Sequence, residues 1–157
     1  MSIKRLSPYL LILNLVVFFI FSVSITLLAA DKKLIEPVDI IYIDEMNIIK
    51  QRLLAWANSW EKGDSIRYLS FYIDNYAPIA MSNQSWKKLR IQRVNKSRQI
   101  KINILFENIS LNGDASRAET IFWQDYQSST YQDETKKKII WKKKGSKWLI
   151  KKELTIK

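Results

Sequence analysis

Cysteine and histidine are both missing from this chain of 157 residues. Without cysteine there is no disulfide framework, no thiol nucleophile and no thiolate zinc site. Without histidine there is no Ser-His-Asp triad, no imidazole base and no histidine-ligated metal. Glycine and proline occur three times each, and no glycine-rich phosphate-binding loop is present. The composition therefore predicts neither a metal site nor a cofactor.

A long apolar run, Tyr9–Ala30, follows Lys4 and Arg5. As a helix rising about 1.5 Å per residue it would reach about 30 Å, enough to cross a bilayer core. Residues 1–30 are thus either a signal peptide, cleaved after Ala30, or an uncleaved N-terminal membrane anchor. The basic pair should stay cytoplasmic, so we expect the remainder to be exported, to the periplasm or the outer face of the inner membrane.

Positive charge is concentrated at the C-terminus. The formal net charge is +11, and the last 22 residues hold ten lysines and one acid, Glu153. Such a cluster fits an anionic partner, namely lipid headgroups, wall polymer or nucleic acid, of which export disfavours nucleic acid. Alternatively, the lysines protect a sheet edge from pairing with another chain. The candidate basic surface is Lys142, Lys143, Lys144 and Lys147.

The pattern after residue 39 predicts helices first and strands afterwards. Residues 31–39 are a linker, and 40–157 are one domain. A long helix, Ile40–Glu61, carries an apolar stripe at Ile49, Leu53, Trp56 and Trp60. Gly63-Asp64 ends it, and a short second helix runs to Tyr72.

A third helix spans Gln84–Lys96, capped by Ser82 or Asn83. From Ile100 onwards apolar residues alternate with polar ones, a period of two that is typical of strands. The first predicted strand begins at Ile100, and the other three span Arg117–Ser129, Lys137–Lys144 and Lys147–Ile156. The order predicts an α+β fold with three helices on one face of a four-stranded antiparallel sheet.

Several stretches together resemble a known domain family. They are Trp56–Asp64, Tyr68–Tyr72, Trp86 with Arg90, Phe122–Ser129, a lysine near Lys137, and Trp148–Glu153. The chain from Ile48 to Glu153 thus resembles the nuclear transport factor 2-like (NTF2-like, SnoaL-like) domain at the C-terminus of bacterial L,D-transpeptidase and L,D-carboxypeptidase proteins. The resemblance implies a cone-shaped fold whose curved sheet wraps around the first helix and leaves a pocket. The catalytic cysteine of those proteins lies in an upstream domain, so their wall-cutting activity does not carry over to a chain without cysteine.

The strand pattern suggests which residues could line that pocket. Gln124 shares a face with Phe122 and Tyr126, and a buried amide needs partners or a wet cavity. Trp86 and Arg90 are one helical turn apart, and Tyr72 and Tyr76 are expected near the mouth. The predicted ligand-binding residues are Tyr72, Tyr76, Trp86, Arg90, Gln124 and Tyr126. We expect Trp56, Trp60 and Trp148 to be ordinary core.

Related folds perform acid–base chemistry with an Asp–His pair, which this chain cannot form, or with an Asp base and a Tyr–Asp oxyanion hole. The second arrangement would need two carboxylates inside the cone, and Asp74, Asp125 and Glu153 are the candidate suppliers. Asp125 lies on the opposite face from Gln124, and we expect the others to be exposed or in ordinary ion pairs. We therefore predict a non-enzyme without catalytic residues, an envelope module that binds peptidoglycan fragments or a wall-enzyme partner. The alternatives are a periplasmic scaffold subunit of a secretion complex and a small isomerase or dehydratase. Expected partners are cell-wall material or an envelope protein, the membrane if the leader is uncleaved, and a second copy through the sheet.

Overall fold

The computed structural model of the protein describes residues 37–96 and 99–156. Three helices precede four strands, which confirms the predicted α+β order. The helices are α1 (Pro37–Glu61), α2 (Ser65–Leu69) and α3 (Asn83–Lys96). The strands are β1 (Lys101–Leu111), β2 (Arg117–Gln127), β3 (Gln132–Lys144) and β4 (Lys147–Thr155). Residues 38–157 form one compact unit.

Helix α1 forms the spine of the domain. It begins at Pro37, three residues before the predicted start, because a proline ring presets the backbone angle of the first helical turn. Its stripe at Ile49, Leu53 and Trp56 is fully buried against the sheet. The helix ends before Gly63, whose φ of 69° is readily adopted only by glycine.

The two shorter helices start at side-chain caps. The Asp64 carboxylate accepts the Arg67 N–H at 2.9 Å at the start of α2, and the Ser82 hydroxyl accepts the Ser85 N–H at 3.1 Å at the start of α3. Helix α2 ends at Leu69, before the predicted end at Tyr72. The chain beyond it pairs with β4 instead, since the Ile150 N–H donates to the Phe71 carbonyl at 2.7 Å and the Ile73 N–H donates to the Ile150 carbonyl at 3.1 Å.

The four strands form one antiparallel sheet in the order β1-β2-β3-β4. Strand β3 starts at Gln132, five residues earlier than predicted, because its polar first residues pair fully with the end of β2. On β2 the even-numbered residues from Ala118 to Gln124 are buried and face the helices, as the alternation predicted. The core therefore lies between the inner face of the sheet and α1.

Two irregularities change which residues face inward. In β1 the register shifts after Phe106, so that Ile104 and Phe106 and then Ile109 and Leu111 pack on the core. In β4 the register shifts between Ile150 and Lys152. A bulge of this kind re-aims the following side chain. Glu153 thereby joins Trp148 and Ile150 on the inner face.

The predicted leader, 1–30, and most of the predicted linker lie outside the described residues. Within the described ranges, no helix combines the length and apolarity needed to cross a bilayer.

Candidate functional site

Aromatic rings form a continuous layer between the helices and the sheet. Neighbouring ring centroids are 4.5 to 6.1 Å apart, in edge-on or tilted contacts. The rings of this layer belong to Trp60, Trp56, Tyr68, Tyr72, Tyr76 and Trp86. All except Trp60 are buried. Packed rings of this kind make a rigid wall, on which the polar groups of the interior are held.

A buried carboxylate lies at the centre of this layer. Glu153 Oε1 accepts from Lys137 Nζ at 2.7 Å, and Oε2 accepts from the Tyr72 hydroxyl at 3.0 Å. Tyr72 in turn accepts from Trp56 Nε1 at 3.0 Å and shares a 2.8 Å hydrogen bond with the Tyr68 hydroxyl. We call these five residues, with Arg90, the Glu153 cluster.

Arg90 adds a second positive charge to the cluster. Its Nη2 lies 3.9 Å from Glu153 Oε2, so it contributes an ion pair rather than a direct hydrogen bond. The Lys137 ammonium also lies 5.9 Å from the centre of the Trp56 ring. The carboxylate is therefore held by two cations and a phenol.

These contacts set the protonation states of the cluster. Burial raises the pKa of the Glu153 carboxyl, but Lys137, Arg90 and the hydrogen bond from Tyr72 outweigh it, so the pKa is lowered overall. Burial and the nearby carboxylate raise the pKa of Tyr72 and Tyr68, and they raise the pKa of Tyr76 to about 12. The cluster thus holds an ionised carboxylate and neutral phenols at neutral pH.

The three carboxylates considered from sequence fall in different environments. Asp74 is exposed and pairs with Lys144 at 3.2 Å, as expected. Asp125 accepts from Asn103 and Gln127, its neighbours on the outer face. Glu153 is ion-paired, which is one of the two expected outcomes, but the pair lies inside the domain, since the Glu153 side chain is only 9% exposed. The bulge in β4 is the physical reason.

The predicted pocket residues do not share one cavity. Tyr72 and Trp86 line a cavity of about 700 Å³ beside the β3–β4 turn, whereas Tyr126 lines a different one of about 370 Å³. Tyr76 is not at a mouth, because its ring is packed between Tyr72 and Trp86 at 4.7 and 4.5 Å. Arg90 points to Glu153. The predicted set is therefore divided between two cavities and the Glu153 cluster.

Gln124 is buried on the inner face of β2, with 5% of its surface exposed. Its Oε1 is fully buried and has no hydrogen-bond donor among the described residues. Thr120 faces the helices from the same strand, next to Phe122 on that face. Its buried hydroxyl does have a hydrogen-bond partner, since it accepts from Trp141 Nε1 at 3.1 Å. Buried carbonyl groups are rarely left without a donor.

The cavity that includes Tyr126 opens where β2 ends, and we call it the β2-end cavity. Its aromatic walls are Trp60 and Tyr126, whose ring centroids are 5.6 Å apart. Arg93 and Lys96 contribute cationic groups from the last turn of α3. The remaining lining residues are Ile100, Ser128, Ser129 and Thr130. Sequence reasoning assigned Trp60 to the core and missed both cations, although their spacing of three on α3 places them on one face.

The predicted basic surface is split by the alternation of β3. Lys142 and Lys144 face away from the core, and Lys147 pairs with Lys144 across the turn. Lys143 points the other way, onto the Trp148 ring, and forms an ion pair with Glu45. Successive strand residues face opposite sides, so the four lysines cannot form one surface. Among residues that the structure describes, no group of three acidic side chains is placed to hold a metal ion.

The family of the chain follows from its sequence over this domain. The profile of the Cds6 C-terminal NTF2-like domain matches residues 48–154. The chain belongs to this family. The match confirms the predicted NTF2-like domain, whereas the link to L,D-transpeptidase and L,D-carboxypeptidase proteins stays a prediction. No curated protein matches the chain.

Solved structures show the same fold at low identity. The K307A mutant of Pgp2, the helical cell shape determining protein of Campylobacter jejuni, superposes with a TM-score of 0.63 and 21% identity over 71% of this NTF2-like chain. Bd1075 of Bdellovibrio bacteriovorus superposes with a TM-score of 0.60 and 21% sequence identity over 68% of this chain. The matches cover only 40% and 38% of those two proteins. An NTF2-like protein of unknown function from Shewanella oneidensis superposes with a TM-score of 0.57 and 14% sequence identity. That match covers 69% of this chain and 96% of the Shewanella chain.

Proposed function

We propose that this NTF2-like protein is a non-catalytic binding module of the cell envelope. Its ligand is a small, carboxylate-bearing peptide fragment of the cell wall, held in the β2-end cavity. One observation carries the proposal, namely the buried Gln124 carbonyl oxygen without a donor. Tyr126 lines the cavity, and Gln124 is two residues before it on the same face of β2, about 7 Å away along the strand.

The cavity offers the groups that such a ligand requires. Trp60 and Tyr126 present ring faces to an apolar or sugar-like part of the ligand. Arg93 and Lys96 are cations suited to a carboxylate. Gln124 Oε1 is buried and does not line the cavity, so an amide N–H of the peptide becomes its donor only when the neighbouring Tyr126 side chain moves aside on binding. A volume of about 370 Å³ fits a short fragment better than a polymer strand.

The Glu153 cluster favours binding over catalysis. A general base needs a pKa near the working pH, whereas the pKa of Glu153 is lowered and both its oxygens accept hydrogen bonds. The phenols of Tyr68 and Tyr72 have raised pKa values and bond to one another. These groups make an interior of one carboxylate, two cations and neutral phenols that supports the aromatic walls.

Two observations support the proposal that this function belongs to the cell envelope. The apolar run Tyr9–Ala30 after a basic pair predicts export. Pgp2, which shares the fold, is described as a helical cell shape determining protein. Fold analogy at 21% identity carries little weight alone. A reporter enzyme that is active only outside the cytoplasm, fused after Lys157, should be active, and activity of a cytoplasmic reporter alone would contradict export.

Calorimetric titration with purified muropeptides tests the binding site. We expect the native chain to bind, and we expect Gln124→Leu to bind about tenfold more weakly or worse, a loss of about 1.4 kcal/mol. Gln132→Leu is the matched control, because this glutamine is exposed at the start of β3. Equal affinity for all three chains, or no binding by the native chain, would reject the proposed site.

A further inference from the structure

Lysines from α3, β3 and β4 converge beside the β3–β4 turn. They line two adjoining cavities of about 700 and 500 Å³, which share Ile73, Asp74, Lys144 and Leu149. We call this region the lysine cleft, and its lysines are Lys87, Lys142, Lys144, Lys147 and Lys151. The cleft is separate from the β2-end cavity, since the β2–β3 and β3–β4 turns lie at opposite ends of an antiparallel sheet.

Little negative charge opposes these lysines. Among the described residues, Asp74 is the only carboxylate that lines either cavity, so five lysines and one aspartate leave four positive charges there. Asp74 pairs with Lys144 at 3.2 Å, but both side chains are largely exposed, and such pairs are weak. The other lining residues include apolar side chains, among them Ile73, Trp86 and Leu149. The cleft thus combines a cationic rim with an apolar floor.

The start of α1 lies at the same end of the domain. Glu45 of α1 accepts from Trp148 Nε1 at 2.6 Å and from Lys143, next to the β3–β4 turn. One helical turn earlier, Ile40, Ile41 and Ile43 are 50%, 56% and 47% exposed. Exposed isoleucines at the same end of the domain as a cationic cleft provide the apolar and basic groups that are typical of proteins lying on a membrane.

We infer that this end of the domain docks on an anionic phospholipid surface. The lysines contact lipid phosphates, and the isoleucines at the start of α1 enter the interfacial layer. Chain connectivity favours a membrane over a wall polymer as the occupant. Only residues 31–36 separate the predicted membrane segment from Pro37, and six residues reach about 20 Å at most. Asp44 and Asp114 also belong to this end, but neither lines the cleft.

The absence of cysteine allows a direct test with single labels. Ser146→Cys places a fluorophore at the tip of the cleft, and Ser129→Cys places the same fluorophore at the exposed β2–β3 turn at the opposite end. Each full-length chain is reconstituted in vesicles that carry an energy acceptor on their headgroups. The vesicles contain phosphatidylcholine alone or with phosphatidylglycerol. Both variants carry the same apolar run at the N-terminus, so any attachment to the vesicle through that run is the same for both. A difference between the two labels therefore reports the orientation of the domain.

We expect energy transfer from Ser146→Cys to rise about twofold in the anionic vesicles and to fall back in 1 M salt, where the Debye length is about 3 Å. Transfer from Ser129→Cys should not change. Replacing Lys142, Lys147 and Lys151 by glutamine should abolish the rise, whereas the same replacement at Lys62, Lys101 and Lys136 should leave it intact. Equal responses of the two labels, no dependence on lipid charge, or release of the tip by an added anionic wall polymer would overturn the inference.

Discussion

Lys137 and Glu153 meet inside the domain, with 2.7 Å between Nζ and Oε1 and with side chains that are only 13% and 9% exposed. The two residues lie on neighbouring strands, and Glu153 reaches the inner face only because β4 carries a bulge. An ion pair in this position is expensive to break, since removing one partner leaves the other charge buried. Its role in the fold can therefore be measured.

Glu153→Gln should reduce the free energy of unfolding by about 3 kcal/mol, because Lys137 and Arg90 lose their counter-charge. Urea denaturation monitored by circular dichroism measures the change. A double variant, Lys137→Met with Glu153→Leu, should be more stable than Glu153→Gln. A Glu153→Gln protein as stable as the native one would show that the pair contributes nothing.

Stability should also depend on pH through Glu153. Its folded-state pKa is lowered relative to an ordinary value near 4.5, so the ionised carboxylate stabilises the fold above that pH. This contribution is lost as the pH falls through the folded-state value. We therefore expect the difference between native and Glu153→Gln proteins to be constant from pH 7 to pH 5 and to shrink below it. A difference that grows on acidification has the wrong sign.

Gln124→Leu should leave the melting temperature unchanged or raise it, because its carbonyl oxygen has no protein donor to lose. Thr120→Val is the contrasting variant on the same strand face. It removes the acceptor of Trp141 Nε1 and should cost about 1–3 kcal/mol. Differential scanning calorimetry compares the two. A comparable loss in both variants would make Gln124 a structural residue and would argue against a role in ligand recognition.

The outer face of the sheet is predicted to pair with a second copy. Leu105 and Trp123 are directly opposite each other on β1 and β2 and are 69% and 36% exposed. We expect a dimer in sedimentation equilibrium and a monomer after Leu105→Glu. Ile66→Lys, an equally apolar exposed position on the helical side, is the control and should not change the mass. A monomeric native protein at high concentration would rule out this pairing.

Much of the architecture follows from periodicity alone. The stripe of α1, the caps of α2 and α3 and the alternation of β2 rest on local rules, and the structure places Ile49, Leu53 and Phe122 in the core as those rules predict. The start of β3 was misplaced because its first residues are polar and gain their pairing from β2 rather than from burial.

The site was less accessible to such reasoning. A register shift moves every later side chain of the strand to the other face. The residues Lys151-Lys152-Glu153 contain no glycine or other local signal that predicts such a shift. The inward position of Glu153 is consequently a property of the pairing between strands. The division of Tyr72, Trp86 and Tyr126 among separate cavities is likewise a tertiary result, since it depends on how the Tyr76 ring packs against Tyr72 and Trp86. By contrast, the opposite orientation of Lys143 and Lys144 follows from the sequence, because neighbouring residues of a strand face opposite sides of the sheet.

The contacts of Glu45 have a kinetic consequence. This residue of the first helix is held by Lys143 and Trp148, which are 98 and 103 positions later in the chain. Loop closure over such distances slows folding, and the two contacts cannot form until the last hairpin is available. A ribosome or a translocation channel that still holds the C-terminus therefore keeps the domain incomplete. For a polypeptide predicted to cross a membrane, this delay favours passage of an unfolded chain and folding on the far side.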